Sequence, residues 1–269
     1  MLKTLTAADG TRISAETYGE GRYTFVLSHG FTGSRLREGL RANADWFAQS
    51  GRVVLFDQRG HGESGGRCSF GLNEPLDLDA AVTWARELSS KPVVTVGYSM
   101  GAASAVRHAA LSQNRGIGTE IDRRLHIGSA PDATIIVGGV AQWYFQGTDM
   151  MQRLHTLSGS AWGRLLIRWH RKVKLDLHAW AGEDAPRELL PIDPTEAARH
   201  VRNPFLIIQG SEDHYFPVDH GQRIHAAAVA GGNTRTELWI EDGMGHAERA
   251  TTEALIRRAT SWVDAQLGG

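Results

Sequence analysis

A glycine-flanked serine, in the sequence Gly-Tyr-Ser-Met-Gly at residues 97–101, joins a β-branched run to a run of small residues. Residues 93–97 predict a short buried strand, and residues 102–106 predict the start of a helix. Such a strand–turn–helix corner holds its serine in a strained backbone pose, and side chains in place of the glycines would collide with the neighbouring strand and helix. Ser99 would lie at the first helical turn, whose free N–H groups favour a developing oxyanion. The pattern makes Ser99 a candidate nucleophile.

Short apolar runs alternate with segments of helical periodicity along most of the chain. This alternation predicts an α/β fold with a mostly parallel, doubly wound sheet, because strands covered on both faces carry continuous apolar runs. Two runs around Asp9-Gly10 instead predict an antiparallel hairpin. Ser34 is predicted to cap a helix that carries Leu36 and Phe47 on one face. The predicted strands are 2–6, 12–18, 23–28, 53–56, 93–97, 133–138, 204–209 and 236–240.

Two segments interrupt this alternation. Residues 113–132 are polar and punctuated by glycines, and they predict an irregular excursion. Residues 141–203 carry four of the eight tryptophans, at 143, 162, 169 and 180, and they predict short helices. We expect 141–203 to form a small helical lid over the carboxyl ends of the strands. Residues 1–140 and 204–269 would then form the core domain.

Candidate catalytic side chains directly follow predicted strands. Reactive loops of a parallel sheet gather at the carboxyl ends of its strands, so Ser99, Asp213 and His246 should share one edge. A serine hydroxyl needs a base to remove its proton, and that base needs an orienting carboxylate. His246, in a glycine-flanked loop after the last strand, is the best base, and Asp213 is the best orienter. Glu212 and, more weakly, Asp242 stay open as alternatives for the carboxylate.

Five motifs are distributed along most of the chain outside the predicted lid. They are His-Gly-Phe-Thr-Gly at 29–33, Asp-Gln-Arg-Gly-His-Gly-Glu-Ser at 57–64, Gly-Tyr-Ser-Met-Gly at 97–101, Gly-Ser-Glu-Asp at 210–213 and Gly-His at 245–246. By these motifs and by the chain order Ser, Asp, His, the sequence resembles the α/β-hydrolase fold superfamily. The resemblance implies Ser99 as nucleophile, His246 as general base and acid, and Asp213 as orienter. It also implies an oxyanion hole formed by the backbone N–H groups of Phe31 and Met100.

Other polar residues of these motifs are predicted to have structural roles. His29 and His61 are expected to brace loops rather than to act as bases, and Asp57 and Arg59 are expected to brace the same loop. His214 is adjacent in sequence to the candidate orienting carboxylate, and its side chain would point elsewhere. It is therefore predicted to be a bystander.

The predicted lid and the loop at 29–33 supply candidates for substrate recognition. Phe31, Trp143 and Trp162 are predicted to bind substrate and to set acyl specificity, because aromatic side chains over an active site can wall an apolar pocket. The basic, apolar-interleaved run at 164–174 predicts one helix with a core stripe and a solvated basic face. A patch for an acidic substrate, a phosphopantetheine arm or an anionic interface is the alternative.

Composition narrows the classes of partner. A formal net charge of −1 gives no global reason to expect nucleic acid or an acidic membrane surface as a partner. The only cysteine, Cys68, cannot form an internal disulfide and is predicted to be a bystander thiol. No window approaches the ~18 apolar residues of a membrane span, and the N-terminus lacks the apolar core of a signal peptide, so we expect a cytoplasmic protein. The sequence offers neither a metal-ligand cluster nor a phosphate-binding glycine loop, so no cofactor is expected.

These features predict a serine hydrolase that cleaves a carboxylic ester, such as an acylglycerol or another small lipophilic ester, through an acyl-enzyme. Thioester hydrolysis, lactone opening and C–C bond cleavage use the same triad and stay open. Acyl transfer and ligand sensing on the same fold also stay open. The expected partner is a small-molecule ester or thioester, and the sequence predicts no oligomeric state.

Overall fold

One eight-stranded sheet organises the computed structural model, which describes residues 1–114, 116–176 and 190–268. Each predicted strand is present, and its ends shift by at most two residues. The strands are β1 (Leu2–Thr6), β2 (Arg12–Tyr18), β3 (Tyr23–Ser28), β4 (Gly51–Phe56), β5 (Val93–Tyr98), β6 (Ala133–Val137), β7 (Phe205–Gly210) and β8 (Thr236–Glu241).

The strand order is β1-β2-β4-β3-β5-β6-β7-β8. The pairs β1/β2 and β2/β4 are antiparallel, and the five remaining pairs are parallel. This topology confirms the predicted hairpin and the mostly parallel sheet. The loops that follow β3, β5, β6, β7 and β8 therefore emerge at one edge of the sheet.

Helices cover both faces of this sheet. No helix among the described residues combines the length and the apolar character needed to cross a membrane. The described helices are α1 (Glu38–Phe47), α2 (Glu74–Leu88), α3 (Met100–Gln113), α4 (Glu120–Arg124), α5 (Asp149–Gly159), α6 (Ala161–Leu166), α7 (Pro194–Ala198), α8 (Val218–Ala230), α9 (Ala247–Ala250) and α10 (Glu253–Leu267), and a π-helical turn (Ile167–Arg171) follows α6.

The two faces of the sheet bury separate apolar clusters. Along β3, Phe25 and Leu27 pack in the cluster that contains side chains of α1 and α10. Val26, between them, packs in the cluster that contains side chains of α2, α3 and α8. Successive side chains of a strand point to opposite faces, so a strand covered on both sides must be apolar throughout. The doubly wound α/β prediction is confirmed.

The first helix begins later than predicted. α1 starts at Glu38 rather than after Ser34, and Leu36 is 60% exposed instead of lying on the buried face. The preceding residues form turns: Thr32 has a φ of 62°, and the Arg37 N–H donates to the carbonyl oxygen of Ser34 at 3.0 Å. The loop after β3 therefore continues through these turns to the start of α1. It occupies positions that the sequence pattern assigned to the first turn of the helix.

Residues 113–132 also differ from the prediction, because they contain the short helix α4. Thr119 caps it, and the Asp122 side chain accepts the Thr119 N–H at 3.0 Å in a capping box. Asp122 also pairs with Arg107 of α3, and neither side chain is exposed. This buried pair fastens the segment to the core, which a prediction from local polarity could not show.

The predicted lid, residues 141–203, includes a helix that packs in the core. α7 packs against α3 and α8, and its residues Ala197 and Ala198 are wholly buried in the core cluster. The predicted single helix over 164–174 is wrong, since α6 ends at Leu166, the π-helical turn follows, and Lys172 takes a left-handed φ of 57°. Trp180 lies outside the described residues. A lid ending at residue 203 remains a prediction, and the packing of α7 favours an earlier end.

The loop after β4 is braced by buried histidines. His29 Nδ1 donates to the carbonyl oxygen of Gly30 at 2.8 Å, and its Nε2 accepts the Gln58 N–H at 3.0 Å. His61 Nδ1 contacts the carbonyl oxygen of Arg59 at 3.0 Å, and its ring lies against that of His29. These contacts confirm that both histidines brace loops. Burial, followed by the nearby His29, lowers the pKa of His61 to about 3.

We expect the free energy of unfolding to decrease as the pH falls from about 6.5 toward 3. His61 stays neutral in the folded chain over this range, whereas the unfolded chain takes up a proton near the ordinary histidine pKa of about 6.5. His61→Asn should make the pH dependence shallower by up to ~1.4 kcal/mol per pH unit between pH 6 and 4. Urea denaturation across this range measures the change.

His126→Asn is the matched control, because His126 is exposed. It should leave the pH dependence unchanged. An NMR titration that finds His61 protonating near 6.5 in the folded protein would contradict this account of its burial.

Candidate active site

The turn between β5 and α3 holds Ser99 in a strained conformation, with φ 53° and ψ −115°. A Cβ added at Gly97 would lie 2.4 Å from the carbonyl oxygen of Gly101. A Cβ added at Gly101 would lie 2.2 Å from the carbonyl oxygen of Ser28 at the end of β3. Both distances are far below van der Waals contact, so the turn needs glycine at each flank, as the sequence predicted.

The sheet brings Ser99, Asp213 and His246 together. His246 Nε2 lies 2.8 Å from Ser99 Oγ, and His246 Nδ1 lies 2.7 Å from Asp213 Oδ2. The three residues follow β5, β7 and β8, whose carboxyl ends share one edge. Gly138, after β6, has a φ of 61°, and a Cβ there would lie 3.2 Å from both His246 Nδ1 and Asp213 Oδ2. Gly138, which follows the intervening strand β6, thus leaves room for His246 and Asp213.

Asp213 is placed to accept hydrogen bonds as a carboxylate. Its Oδ1 accepts the backbone N–H groups of Tyr215 at 2.8 Å and Phe216 at 3.0 Å. Burial raises the pKa of Asp213, but the hydrogen bond with His246 and these two amides outweigh burial and hold the pKa below its usual range. An ionised Asp213 accepts Nδ1–H, so the hydrogen-bond network assigns Nε2 as the acceptor that faces Ser99.

The alternative residues lie elsewhere. Glu212 and His214 flank Asp213, and both side chains are exposed. Asp242 is exposed as well and accepts a hydrogen bond from the Ser211 hydroxyl at 3.4 Å. Of the candidate carboxylates, the structure brings Asp213 into contact with His246.

The backbone N–H groups of Met100 and Phe31 are the two predicted oxyanion donors. Met100 is the first residue of α3, and its N–H is one of the amides that a helix start leaves without an intrahelical partner. Phe31 lies in the loop after β3, next to Gly30, where an added Cβ would lie 3.1 Å from Ser99 Cβ. Within the described part of the chain, neither the Met100 nor the Phe31 N–H donates a hydrogen bond.

Sequence reasoning missed Glu248. This half-buried side chain of α9 accepts the Gly30 N–H on Oε1 at 3.1 Å, and a Cβ at Gly30 would lie 3.3 Å from its Oε2. Its own carbonyl oxygen accepts Asn43 Nδ2 at 3.2 Å. Glu248 thus joins the helix after His246 to the loop that carries the Phe31 amide. No local pattern predicts such a contact, which joins residues 218 positions apart.

An apolar cluster lies beside the candidate oxyanion residues. Met100 packs in it with three residues of the segment after α6, and Phe31 and Phe70 pack against it. The backbone of that segment is fixed by two hydrogen bonds to Cys68, at 2.7 and 2.8 Å. The cluster therefore connects the predicted lid to the site. Its buried members are Cys68, Met100, Ile167, Val173 and Leu175.

Cys68 has a structural position in this cluster. It is wholly buried, and its Sγ lies 3.7 Å from the thioether sulfur of Met100. Burial, followed by the nearby charge of Glu74, raises the pKa of Cys68 well above its usual range, which disfavours the thiolate needed for nucleophilic chemistry. The bystander interpretation of Cys68 agrees with this environment.

The two tryptophans predicted to bind substrate have different surroundings. The Trp143 indole N–H donates to the carbonyl oxygen of Pro191 at 3.0 Å, and its ring packs near Gly71 and under the Arg107 guanidinium. Trp162 is 77% exposed on α6. The exposure of Trp162 argues against its predicted role as a pocket wall, because the side chains that wall a pocket are shielded from bulk water.

The described residues contain no group of three or more histidine, cysteine, aspartate or glutamate side chains that could hold a metal ion. Two aromatic side chains pack against the ring of His246. Tyr215 stacks on its ring with the centroids 4.4 Å apart, and Phe216 meets the ring edge-on at 5.5 Å. These rings restrict the orientation of the imidazole between Ser99 and Asp213.

Comparison with known proteins gives a family match and several similar folds. A profile of the Alpha/beta hydrolase family matches residues 25–254. An esterase of Pyrococcus furiosus aligns with a TM-score of 0.74 and 20% identity, over 100% of this chain and 91% of that chain. An esterase of a Rhodococcus species aligns with a TM-score of 0.69 and 16% identity, over 98% of this chain and 99% of that chain. An esterase of Thermogutta terrifontis aligns with a TM-score of 0.67 and 16% identity, over 98% of this chain and 98% of that chain.

No curated protein sequence matches the chain significantly. At these low identities the similar structures establish the fold alone. The family profile spans most of the chain, including the three residues that meet at the sheet edge. The chain therefore belongs to the Alpha/beta hydrolase family.

Proposed function

We propose that the protein is a serine hydrolase that cleaves the ester bond of a small lipophilic molecule. Ser99 is the nucleophile, His246 the general base and acid, and Asp213 the orienting carboxylate. The observation that carries the proposal is the continuous hydrogen-bond chain from Asp213 through His246 to Ser99, with contacts of 2.7 and 2.8 Å. A nucleophile, a base and an orienter in this geometry support acyl-transfer chemistry.

In the proposed reaction, Ser99 Oγ attacks the ester carbonyl while His246 Nε2 takes the hydroxyl proton. Ionised Asp213 stabilises the imidazolium that forms. Collapse of the tetrahedral intermediate breaks the bond to the alcohol, which leaves with the proton from His246. Water then attacks the acyl-enzyme, His246 takes its proton, and the acid departs as the Ser99 hydroxyl re-forms.

The oxyanion of each tetrahedral intermediate would accept hydrogen bonds from the N–H groups of Phe31 and Met100. Met100 directly follows Ser99, Phe31 directly follows Gly30, which approaches Ser99, and neither N–H donates to another acceptor in the described chain. Preorganised donors of this kind stabilise the transition state more than the substrate. Glu248 is a positioning residue in this scheme, because its hydrogen bond to the Gly30 N–H orients the loop that carries the Phe31 donor.

The acyl group would lie along the apolar cluster that contains Met100. Phe31 and Phe70 pack against that cluster, and segment 167–175 completes it. An apolar surface beside the nucleophile favours a lipophilic acyl chain over a charged one. Residues 141–176 would form the lid that covers this side of the site. The solved structures with similar folds include several described as esterases, which agrees with this assignment.

Ser99→Ala should lower kcat by about 10⁴ or more on a p-nitrophenyl ester, because no nucleophile remains. Asp213→Asn should lower kcat by about 10⁴, since the amide favours the wrong histidine tautomer. Stopped-flow release of nitrophenol measures both. Glu212→Gln, at the exposed neighbouring position, is the control and should keep full activity. Retention of wild-type kcat by Ser99→Ala would contradict the proposal.

Glu248→Ala should lower kcat by about ten- to a hundredfold with little change in KM, which is less than the 10²–10³ cost of losing an oxyanion donor itself. Glu248→Gln keeps an oxygen that can accept the Gly30 N–H and should restore kcat to within about threefold of the wild type. Glu253→Ala is the control on α10, where Glu253 pairs with Arg257 at the surface. If Glu248→Gln is as impaired as Glu248→Ala, the hydrogen bond is not the cause.

A further inference from the structure

The helix α6 and the π-helical turn after it present an apolar face to solvent. Trp162 and Trp169 are 77% and 76% exposed, and Leu165 and Leu166 are 54% and 44% exposed. These residues follow the spacing i, i+3, i+4, i+7, which places side chains on one side of a helix. The core stripe predicted for the run 164–174 is therefore present only in part, since Ile167 and Val173 are buried whereas Leu165, Leu166 and Trp169 are exposed.

Packing fixes the direction of this face. Gly163 and Ile167, four residues apart, are buried on the other side of the same segment. A Cβ added at Gly163 would lie 1.8 Å from the carbonyl oxygen of Leu157, so α6 packs directly on the end of α5. Ile167 belongs to the apolar cluster with Met100. The segment is thus held from inside, and its two tryptophans must point outward.

The stretch of chain that carries this face is basic. Residues 151–175 contain six lysines and arginines and no aspartate or glutamate, in a chain whose formal net charge is −1. Five of the six side chains are exposed, and none forms an ion pair with a carboxylate within the described residues. The six are Arg153, Arg164, Arg168, Arg171, Lys172 and Lys174.

We propose that this face docks the protein on an anionic phospholipid surface. Tryptophan and leucine side chains enter the boundary between headgroups and acyl chains, and flanking lysines and arginines attract anionic headgroups. Two copies of the face would bring like charges together, which disfavours self-association through it. The two exposed leucines suit acyl chains better than nucleic-acid bases, which stack on aromatic rings, and binding to an oligonucleotide is one outcome that the test distinguishes.

Docking would place the candidate site next to the lipid. The outer side of segment 162–169 would meet the bilayer while Ile167 contacts the cluster beside Met100. Esters dissolved in that bilayer would then be concentrated at the site. This consequence rests on the proposed function, whereas the docking itself does not.

Co-sedimentation with vesicles tests the proposal on the full-length protein. Phosphatidylcholine vesicles that contain phosphatidylglycerol should bind it at least about tenfold more strongly than pure phosphatidylcholine vesicles, and added salt should weaken the binding. The double variant Trp162→Ala/Trp169→Ala should lower the partition coefficient at least about tenfold. Arg168→Gln/Arg171→Gln should lower it as well and reduce its salt dependence. All four positions are exposed, so these variants should keep the wild-type melting temperature.

Val229→Ala/Arg223→Gln is the matched control, because both side chains are exposed on α8. It should bind vesicles as the wild type does. Ser99→Ala should also bind normally, which separates failure of docking from failure of the proposed catalysis. Equal binding to both vesicle types would overturn the proposal. Binding to an oligonucleotide instead of vesicles, or a dimer dispersed by the tryptophan variants, would overturn it too.

Discussion

The close approach of α3 to the ends of β3 and β5 is the contact on which the candidate site depends. It is possible because Gly97 and Gly101 lack side chains where the nearest backbone oxygens would be within 2.4 Å of a Cβ. The approach forces Ser99 into a positive φ, a strain of about 1–3 kcal/mol that the surrounding buried packing must offset. In this conformation Ser99 presents its hydroxyl at the edge of the sheet and directly precedes Met100, whose N–H donates no hydrogen bond among the described residues.

The carboxylates of Asp213 and Glu248 position the groups on the two sides of that turn. Asp213, with a wholly buried side chain, is held ionised by its hydrogen bonds and fixes the imidazole of His246. Glu248 is only half-buried and fixes the loop on the other side of Ser99 through the Gly30 amide. His246 and the loop that carries the Phe31 N–H are thus connected through consecutive residues 246–248. A shift of this short segment would displace both His246 and the loop that carries the Phe31 N–H. For this reason, loss of a positioning role of Glu248 would affect kcat more than KM.

The sequence was sufficient to predict the features that depend on local residue patterns or on the topology of the sheet. Strands were visible as continuous apolar runs, and the edge shared by parallel strands brought Ser99, Asp213 and His246 together before any coordinates. Contacts between distant loops were not visible, since nothing near Glu248 in sequence indicates a bond to Gly30. The outward direction of Trp162 was also hidden, because helical periodicity identifies a face without telling which side the neighbouring helix covers.

The most direct test of the catalytic role of Ser99 is covalent labelling with a fluorophosphonate, followed by peptide mapping. The account predicts one phosphonyl group per chain, attached to Ser99, and labelling slowed by orders of magnitude in His246→Ala because the hydroxyl loses its base. Attachment to another residue, or undiminished labelling of Ser99→Ala, would contradict it.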